Sequence, residues 1–378
     1  MRKLAIVRGK FLNKYEMQSF APLIGKYDIT AFGSYTSYHT QFPFSVVSCL
    51  SPMDFPEFPW KMQILNRLFV DAQYLFGLEK RLKGFDIIHS AETYYRYTQQ
   101  CLNAKKKGYV RKVVATVLEN IPFNNEGIRG RRRFKKRSRE GLDHIIALTN
   151  KTKEALILEG TDPKKITVIG HGIDTKKFQP APNHWTKFAR KHQKIIILFS
   201  GRLEQYKGVL DILDAAALLV RDPSIKPSLQ FIFSGKGSAY ADMVRKEKEY
   251  GIEKCVSHTS VSYDHMPDMY KKADIVVVPS KSTPTWQEQY CTVLLEAQSM
   301  GLPIVTTRSG GIPENVGSCA LFCQEGDSRS LYEQIKRFIL NPGLRIQYGR
   351  KARERAVHVH DVAIIALKLD QVYQSLFV

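Results

Sequence analysis

Two glutamates separated by seven residues stand in the stretch WQEQYCTVLLEAQSMGLPIVTTRSGG of a strongly basic chain. Glu288 precedes a predicted short helix and Glu296 lies inside it; the helix begins near Cys291 or Thr292 and ends at Gly301. An ionised carboxylate only accepts hydrogen bonds, so the pair could bind hydroxyl groups on either side of the helix start. Acids near a helix N-terminus also stabilise the helix by about 0.3–1 kcal/mol without binding a ligand. The residues alone leave both interpretations open.

A second motif, GRLEQYKG, joins a predicted strand to a helix that begins at Val209. Gly201 permits the turn, and Arg202 and Lys207 flank a helix start whose free N–H groups favour anions. Two fixed cations there would suit a diphosphate, and a solvated basic loop is the alternative. A third strand end, FIFSGKG, contains Gly235, but a lone G-x-G is weak evidence and a plain turn is the simpler interpretation.

Short apolar stretches alternate with helical patterns along the chain, which predicts parallel sheets with helices on both faces. The predicted strands are Leu4–Val7, Asp28–Ala31, Ser45–Val47, Asp86–His89, Val113–Val117, His144–Leu148, Ile195–Ser200, Gln230–Ser234, Val256–Thr259, Ile275–Pro279, Pro303–Thr306 and Ala320–Phe322. They divide six and six around a polar stretch, Asp174–Lys194, that we interpret as a linker. Helices are predicted over Leu65–Leu82 and, at the end of the chain, over Asp361–Val378. The expected architecture is two doubly wound α/β domains.

The chain has 378 residues, enough for two domains, and a formal net charge of +21. The charge is uneven, because residues 1–180 hold 31 Lys and Arg against 16 Asp and Glu. Such a field attracts phosphate-rich partners: nucleic acid, an anionic membrane face or a phosphorylated substrate. Charge alone does not choose among these partners.

No apolar run approaches the roughly 18 residues of a membrane-spanning helix, and the first residues do not resemble a signal peptide. We therefore expect a cytosolic protein. Six scattered cysteines, Cys319 and Cys323 among them, predict buried reduced thiols rather than a metal site. His358 and His360 are likewise interpreted as surface or packing residues.

Four motifs occur together and in order: VIGHGIDTKKFQP, GRLEQYKG, the E-x7-E pair and GLPIVTTRSGGIPE. In combination they resemble the retaining glycosyltransferases of family 4, specifically over residues 166–320 and more weakly over residues 1–165. The resemblance implies the GT-B fold, two Rossmann-like domains facing across a cleft, with a C-terminal helix packing back toward the N-terminal domain. We expect an acceptor-binding domain over residues 1–175, a nucleotide-sugar-binding domain over residues 176–360 and a closing helix over residues 361–378.

The resemblance also implies roles for particular residues. Arg202 and Lys207 would neutralise the donor diphosphate, Glu296 would bind the nucleotide ribose, and Glu288 would bind the hydroxyls of the transferred sugar. The donor-binding set implied is Gly9, Arg202, Lys207, Gly235, Val261, Glu288, Tyr290, Cys291, Thr292 and Glu296. Gln289, Tyr290 and Cys291 stand where the family has glycines around the first glutamate, so the sugar cannot be identified. UDP or GDP is expected as the nucleotide.

The N-terminal half departs further from the family pattern. Many members have D-x-x-H-x-H, whereas this chain reads DIIHSAET, with Ala91 at the second histidine position. His89 and Glu92 remain at this strand end; Glu92 is expected to contact the acceptor or help its proton leave, and His89 is equally consistent with a structural role. The catalytic set expected is Glu288, Arg202, Lys207, Glu92 and His89. A front-face displacement is implied, with neither a cofactor nor a divalent ion, since no D-x-D triplet occurs.

A basic run, RGRRRFKKRSR, lies in the N-terminal half. Its predicted membrane or acceptor surface consists of Arg131, Arg132, Arg133, Lys135, Lys136 and Arg137, with Phe134 as an apolar insertion point. Members that associate with membranes use a basic surface of this domain, so a lipid-linked or cell-envelope glycan acceptor and a peripheral location on the inner membrane face are expected. A soluble anionic acceptor and a merely solvated face remain open.

Other classes of function compete with this interpretation. A nucleic-acid-binding protein would explain the charge, but the basic run lacks interleaved aromatic residues and no nucleic-acid module is recognisable. A nucleotide-sugar epimerase on the same fold would interconvert the donor without an acceptor. A phosphorylase would require inorganic phosphate and a glycan. These two assays would distinguish both enzymes from a glycosyltransferase.

Overall fold

A computed structural model describes residues 1–189 and 194–378. The chain forms two compact units. Unit 1 comprises Met1–Gly172 and Val362–Val378, and unit 2 comprises Ile173–Asp361. The last helix of the chain therefore belongs to the unit in which the chain begins.

Unit 1 contains, in its described residues, a seven-stranded parallel sheet in the order β3-β2-β1-β4-β5-β6-β7. The strands are β1 Arg2–Gly9, β2 Tyr27–Ser34, β3 Ser45–Cys49, β4 Phe85–Ala91, β5 Val110–Val117, β6 His144–Ala147 and β7 Ile166–Val168. The strand order reverses direction between β1 and β4, and ligands bind beyond the carboxyl ends of strands at such a switch point.

Unit 2 contains, over its described residues, a six-stranded parallel sheet in the order β10-β9-β8-β11-β12-β13. The strands are β8 Ile195–Ser200, β9 Leu229–Ser234, β10 Val256–Thr259, β11 Ile275–Val278, β12 Ile304–Thr306 and β13 Ala320–Phe322. Its switch point lies between β8 and β11. All twelve predicted strands are present; the division into six and six was wrong by one strand, the three-residue β7.

The helices of unit 1 that precede unit 2 are α1 Lys14–Met17, α2 Lys61–Phe69, α3 Leu78–Arg81, α4 Arg96–Lys106, α5 Arg131–Gly141 and α6 Asn150–Leu158. Those of unit 2 are α7 His184–Ala189, α8 Val209–Arg221, α9 Tyr240–Tyr250, α10 Met266–Lys272, α11 Thr292–Ser299, α12 Ile312–Val316, α13 Ser328–Leu340 and α14 Pro342–Arg355. The last helix is α15 Val362–Ser375. Short 3₁₀ turns lie at Gln18–Leu23, Pro52–Asp54, Pro163–Lys165, Gln205–Lys207, Glu253–Cys255 and Tyr263–His265, and a wide helical turn at Ala356–His360.

The continuous helix predicted over Leu65–Leu82 was wrong, because the chain leaves the helical conformation between α2 and α3. Val70 has φ of 65° and Gly77 has φ of 74°, both in the left-handed half of conformational space. The Asn66 side chain also accepts a hydrogen bond from the backbone of Ala72, which holds the connecting loop against the end of α2.

The stretch Asp174–Lys194 is not simply a linker, because much of it is packed within unit 2. Phe178 is fully buried, and the Arg353 guanidinium donates to the backbone carbonyls of Thr175 and Phe178. The helix α7 also lies in this stretch, and residues 190–193 lie outside the described residues. The polar composition of this stretch predicted a linker, because the half-buried guanidinium that satisfies these carbonyls comes from a distant part of the sequence.

The closing helix was predicted correctly. Ile365, Leu369 and Tyr373 of α15 are buried in a core that includes Leu4 and Ile6 of β1. The hydroxyl of Tyr373 also hydrogen-bonds with the ring of His89 at the end of β4. The helix thus covers one face of the unit 1 sheet, beneath its switch point.

Candidate active site

The loop between β8 and α8 brings the GRLEQYKG motif to the switch point of unit 2. Gly208 has φ of 73°, and a Cβ atom there would lie 2.2 Å from the carbonyl oxygen of Pro279. Only glycine lets the start of α8 approach the end of β11 this closely. The turn Gln205–Lys207 then places Lys207 beside the loop that follows β11.

Lys207 and Glu288 form the central ion pair of the site. The Lys207 ammonium lies 2.6 Å from Glu288 Oε1, and the Ser280 hydroxyl donates to the same oxygen at 2.6 Å. Glu288 is buried, so these contacts compensate for the loss of solvation that a charged carboxylate suffers. The first glutamate of the E-x7-E pair is therefore linked directly to the second cation of GRLEQYKG.

The backbone around Glu288 is held by the glycine pair that follows β12. Gly310 has φ of 53°, and a Cβ atom there would lie 1.9 Å from the Glu288 carbonyl oxygen. Gly311 donates its N–H to the same carbonyl at 2.8 Å. The glycine pair of SGGIPE thus fixes the backbone position of the loop that contains Glu288.

The residues before α11 adopt a strained connection. Cys291 has φ of 58°, in a region that side chains other than glycine seldom occupy. The Asn315 side chain donates to the carbonyls of Tyr290 and Cys291. Helix α11 then begins at Thr292 without a hydrogen bond from a capping side chain at Cys291, and helix N-termini of this kind favour anions.

Glu296 lies one turn inside α11 and is almost completely buried. Its Oε2 atom accepts a hydrogen bond from the Tyr270 hydroxyl at 2.7 Å. Burial raises the pKa of Glu296 to about 7, while the Tyr270 hydrogen bond and the charge of Lys177 act in the opposite direction. A carboxyl group that only stabilises a helix dipole need not be buried. The burial of Glu296 therefore favours a binding role over helix stabilisation alone.

Two aromatic residues that the sequence did not single out cover the cations. The rings of Tyr206 and Trp286 lie 4.2 Å apart. The Arg202 guanidinium lies 5.5 Å from the Tyr206 ring centre, and the Lys207 ammonium lies 4.8 Å from the Trp286 ring centre. Both contacts are at cation–π distance. Tyr206 stands inside GRLEQYKG, so its place in the motif was a usable signal.

Gly235 and Val261 lie at the carboxyl edge of the same sheet. A Cβ atom at Gly235 would lie 1.8 Å from the Gly201 carbonyl oxygen, so the two strand-end turns are in direct backbone contact. Gly235 also donates its N–H to the Thr259 carbonyl. Val261 follows β10 in the next loop and is half-buried.

In unit 1, Gly9 and His89 lie at the ends of β1 and β4. Gly9 has φ of 54°, and a Cβ atom there would lie 3.0 Å from Gln73 Oε1 and 3.3 Å from the Tyr97 ring. His89 is buried, with Nδ1 2.5 Å from the Tyr373 hydroxyl and Nε2 2.6 Å from the Thr116 hydroxyl. Burial, assisted by the nearby charge of Arg8, lowers the pKa of His89 to about 3. A neutral ring with both nitrogens engaged favours the structural role for His89.

Glu92 stands immediately beyond β4 and combines backbone strain with an unusual carboxyl group. Its φ is 57°, and it is buried. The Oε1 atom accepts from the N–H groups of Leu118 and Glu119, whereas Oε2 has no hydrogen-bond partner among the described residues. Burial raises the pKa of Glu92 to about 8, with repulsion from Glu119 adding to the effect. Backbone strain and an unsatisfied buried oxygen are both features that concentrate at functional positions.

The predicted basic surface requires correction, because helix α5 buries part of the run. Arg131 pairs with Asp71 at 2.7 Å and Lys135 pairs with Glu159 at 2.5 Å, and both cations are buried. Phe134 is also buried, so it cannot act as an insertion point. Arg132, Arg133 and Lys136 are exposed, and Arg137 is half-buried.

Two family models match the chain. One, described as Glycosyltransferase Family 4, covers residues 39–177, and the other, Glycosyl transferases group 1, covers residues 182–355. The chain belongs to the family 4 glycosyltransferases. The second model includes Arg202, Lys207 and both glutamates of the pair, which lie in the segments that follow the two strands of the unit 2 switch point, β8 and β11.

Named relatives of this glycosyltransferase family member include the D-inositol 3-phosphate glycosyltransferase of Corynebacterium jeikeium. The two are 31% identical over an alignment of 231 residues, and the match covers 57% of this chain and 54% of the relative. The gpi3 subunit of phosphatidylinositol N-acetylglucosaminyltransferase from Schizosaccharomyces pombe is 29% identical over 175 residues, 46% of this chain and 36% of the relative. The chain spans about half the length of the curated relatives it matches first.

Solved structures match over nearly the whole chain. HepE of Anabaena in complex with UDP has a TM-score of 0.78 at 18% identity, covering 99% of this chain and 100% of HepE. Sucrose-phosphate synthase of Thermosynechococcus elongatus has a TM-score of 0.76 at 19% identity, covering 100% and 99% of the two chains. At these identities the likeness establishes the fold, which is GT-B, as the sequence predicted.

Proposed function

We propose that this chain transfers a glycosyl group from a UDP- or GDP-sugar to a hydroxyl acceptor, with retention of configuration. The observation that carries the proposal is the Lys207–Glu288 ion pair in the loops that follow β8 and β11, shortly before the helix that contains the buried Glu296. The pair places an ammonium group, which suits phosphate, beside a carboxylate, which suits sugar hydroxyls.

The proposed donor site follows from these contacts. Arg202, Lys207 and the N-terminus of α11 at Thr292 bind the diphosphate, because all three present positive charge or free N–H groups. Glu296 accepts hydrogen bonds from the ribose through the oxygen that Tyr270 leaves available, and Glu288 accepts from the sugar. Solved structures of HepE are described as complexes with UDP and with UDP-glucose, which supports this class of donor.

The proposed reaction is a front-face displacement that requires no metal ion. The acceptor hydroxyl attacks on the side from which the diphosphate leaves, and the departing phosphate takes the proton. Arg202 and Lys207 stabilise the negative charge that develops on this phosphate, so catalysis rests on positioning and electrostatic stabilisation. Glu92 of unit 1 contacts the acceptor or assists loss of its proton, since a pKa of about 8 suits proton transfer near neutrality.

The proposed acceptor carries a hydroxyl group next to negative charge, as part of a lipid-linked or envelope glycan. Relatives are named for D-inositol 3-phosphate and for phosphatidylinositol, one a soluble phosphate and the other a lipid. The exposed cations Arg132, Arg133 and Lys136 would bind such charges. Unit 1 is accordingly proposed as the acceptor-binding unit and unit 2 as the donor-binding unit.

The experiment that tests the donor class is thermal stabilisation by UDP, GDP and ADP. A nucleotide at 100 times its dissociation constant adds about 2.7 kcal/mol, which a melting curve detects readily. Lys207→Ala should abolish the shift, whereas Lys281→Ala should retain it, because Lys281 pairs with Asp211 at 3.0 Å instead of with Glu288. A salt-sensitive shift with duplex DNA, and none with any nucleotide, would refute the proposal. Interconversion of the donor sugar without acceptor would indicate an epimerase.

A further inference from the structure

Three aromatic side chains meet in the loops that follow β1, β2 and β4 of unit 1. The centre of the Phe11 ring lies 5.9 Å from that of Tyr38 and 5.7 Å from that of Tyr95. Phe11 and Tyr95 are half-buried, and Tyr38 is 53% exposed. We call these three residues the aromatic row. Because the carboxyl ends of parallel strands lie at one edge of a sheet, the row stands at the edge where a ligand of unit 1 is expected.

The backbone fixes two of the loops that contribute to the aromatic row. The Tyr38 N–H donates to the Lys10 carbonyl at 3.2 Å, and the His39 N–H donates to the Leu12 carbonyl at 3.1 Å. These bonds join the loop after β2 to the loop after β1 on either side of Phe11. The exposed ring of Tyr38 is therefore held in a defined position at the edge of the sheet.

Buried polar atoms without protein partners lie next to the aromatic row. Gln73 Oε1 and the Tyr97 hydroxyl have no hydrogen-bond partner among the described residues, although both side chains are almost inaccessible to solvent. Both side chains lie beside Gly9, and the Tyr97 ring centre lies 5.2 Å from that of Tyr95. Unsatisfied buried polar atoms are rare in folded proteins and each requires an explanation, of which a bound ligand is one.

Glu92 links these atoms to the proposed reaction. Its Oε2 atom also lacks a partner among the described residues. Burial and, after it, the charge of Glu92 raise the pKa of Tyr95, so these two residues are within electrostatic range of each other. The aromatic row and the unsatisfied atoms thus adjoin the residue proposed to contact the acceptor.

An aromatic surface beside unsatisfied hydrogen-bonding atoms suits the two kinds of group on a sugar ring. The C–H groups of a pyranose pack against the electron-rich face of an aromatic ring, and its hydroxyl groups both donate and accept hydrogen bonds. Gln73 Oε1 only accepts, whereas the Tyr97 hydroxyl donates and accepts. A hydroxyl group can therefore satisfy both atoms. A fully ionised phosphate has no proton to donate and could not satisfy Gln73.

We propose that the aromatic row, together with Gln73 and Tyr97, binds a neutral sugar ring of the acceptor. The acceptor is then a glycan or a glycoside, and any negative charge that it carries lies outside this subsite. A lipid chain is the poorer occupant, because it offers no hydrogen bond to the buried oxygens. No helix in the described part of the chain is both long and apolar enough to cross a bilayer.

This inference rests on the proposed function in one respect, namely that unit 1 binds the acceptor. It adds the chemical class of the group that is bound and the residues that select it. Sugar binding and the melting shift with nucleotides are separate measurements, so either proposal can fail without the other.

The test is saturation-transfer NMR of the full chain with the methyl glycosides of glucose, galactose, mannose and N-acetylglucosamine. At least one glycoside should receive saturation from the protein. Tyr38→Leu should weaken its binding by roughly fivefold, because the aromatic face is lost, and Tyr38→Phe should retain it. Tyr109→Leu, immediately before β5 at the opposite edge of the same sheet, is the matched control and should change binding by less than about twofold.

Tyr97→Phe separates binding from stability, because it removes the hydroxyl group and keeps the ring. A hydroxyl group without a protein partner contributes little to the fold, so the melting temperature should not fall. Glycoside binding should weaken by roughly threefold to tenfold, as expected when one hydrogen bond is lost. A lower melting temperature with unchanged glycoside binding would overturn the proposal, because the hydroxyl would then serve the fold.

Two other results would also overturn it. One is the absence of saturation transfer to all four glycosides. The other is displacement of a bound glycoside by glycerol 3-phosphate together with unchanged binding in Tyr38→Leu, since the site would then recognise charge. The melting shift with UDP or GDP should persist in Tyr38→Leu and Tyr97→Phe, which distinguishes loss of the sugar subsite from failure of the donor site.

Discussion

Replacing Glu296 by glutamine removes one negative charge from the interior of unit 2 while keeping an oxygen that can accept from Tyr270. The carboxyl group has an ordinary pKa of 4.5 and a pKa of about 7 in the folded chain. At about 1.4 kcal/mol per pKa unit, ionising this group in the folded chain costs on the order of 3 kcal/mol. Glu296 is almost inaccessible to solvent, so screening does not reduce this cost.

The sign of the pH dependence follows from proton binding. Between pH 4.5 and 7 the folded chain holds a proton that the unfolded chain has lost, so stability falls as the pH rises through this interval. Above pH 7 the full cost is present, and below pH 4.5 it is absent. Glu296→Gln should therefore stabilise unit 2 by up to about 3 kcal/mol at pH 8 and by little at pH 5.

Calorimetric melting at both pH values measures this difference. For a unit of this size, each kcal/mol moves the melting temperature by about 2–4 °C, so a gain of several degrees is expected at pH 8. The same variant should bind UDP or GDP roughly tenfold more weakly at pH 8, because a hydrogen bond to a charged acceptor is lost. At pH 6 the two proteins should differ less, since the wild-type carboxyl is then largely protonated.

An acid on the surface of the same unit, Glu333, whose side chain is 47% exposed, provides the control. Glu333→Gln on α13 should change neither melting nor nucleotide affinity at either pH. Equal stabilisation by Glu296→Gln at pH 5 and pH 8 would refute the reasoning, because the gain would then not arise from charge. Undiminished nucleotide affinity at pH 8 would refute the ribose-binding role.

Two further changes test other parts of the site. Gly310→Ala should destabilise unit 2 by more than about 2 kcal/mol and weaken nucleotide binding, because the new methyl group meets the carbonyl of the first glutamate at 1.9 Å. Gly251→Ala, at a similar φ of 65° in open space, should lower the free energy of unfolding by only about 1 kcal/mol in a denaturant titration and leave nucleotide binding unchanged. Equal effects of the two substitutions would contradict the importance of the contact between Gly310 and the Glu288 carbonyl. Glu92→Gln should lower the rate of glycosyl transfer and change nucleotide affinity by less than about twofold. It should stabilise the fold most above pH 8, where the wild-type carboxyl, with a pKa of about 8, is ionised. An unchanged transfer rate would show that Glu92 takes no part in the reaction.

The fold was largely predictable because each strand is a short apolar run bounded by turn residues. What the pattern missed was β7, which has only three residues, and the break after α2. The break depends on Val70 adopting a positive φ, and nothing in the residue type indicates this, since a β-branched residue disfavours it. Local preference is what a sequence pattern reports, whereas Val70 lies against Gly130, 60 residues further along the chain, and the pattern does not show this tertiary contact.

The site in unit 2 was more accessible to sequence reasoning than the basic helix in unit 1. Arg202, Lys207 and the two glutamates stand in motifs whose spacing is set by strand ends. By contrast, a charged run does not indicate which cations are exposed. Lys135 is buried because Glu159, which follows it by 24 residues, lies within reach, and only the folded chain brings these two together.

The position of α15 in unit 1 has a consequence for the order in which the chain can fold during synthesis. Unit 2 begins and ends at neighbouring points, since the Ile173 N–H donates to the His360 carbonyl, so it can close as soon as its last residue is made. Unit 1 is translated first but lacks the residues of α15 that fill its core until all of unit 2 has emerged. The earlier unit is thus the later one to mature, and a chain stopped at Asp361 would leave the ring of His89 without its tyrosine partner.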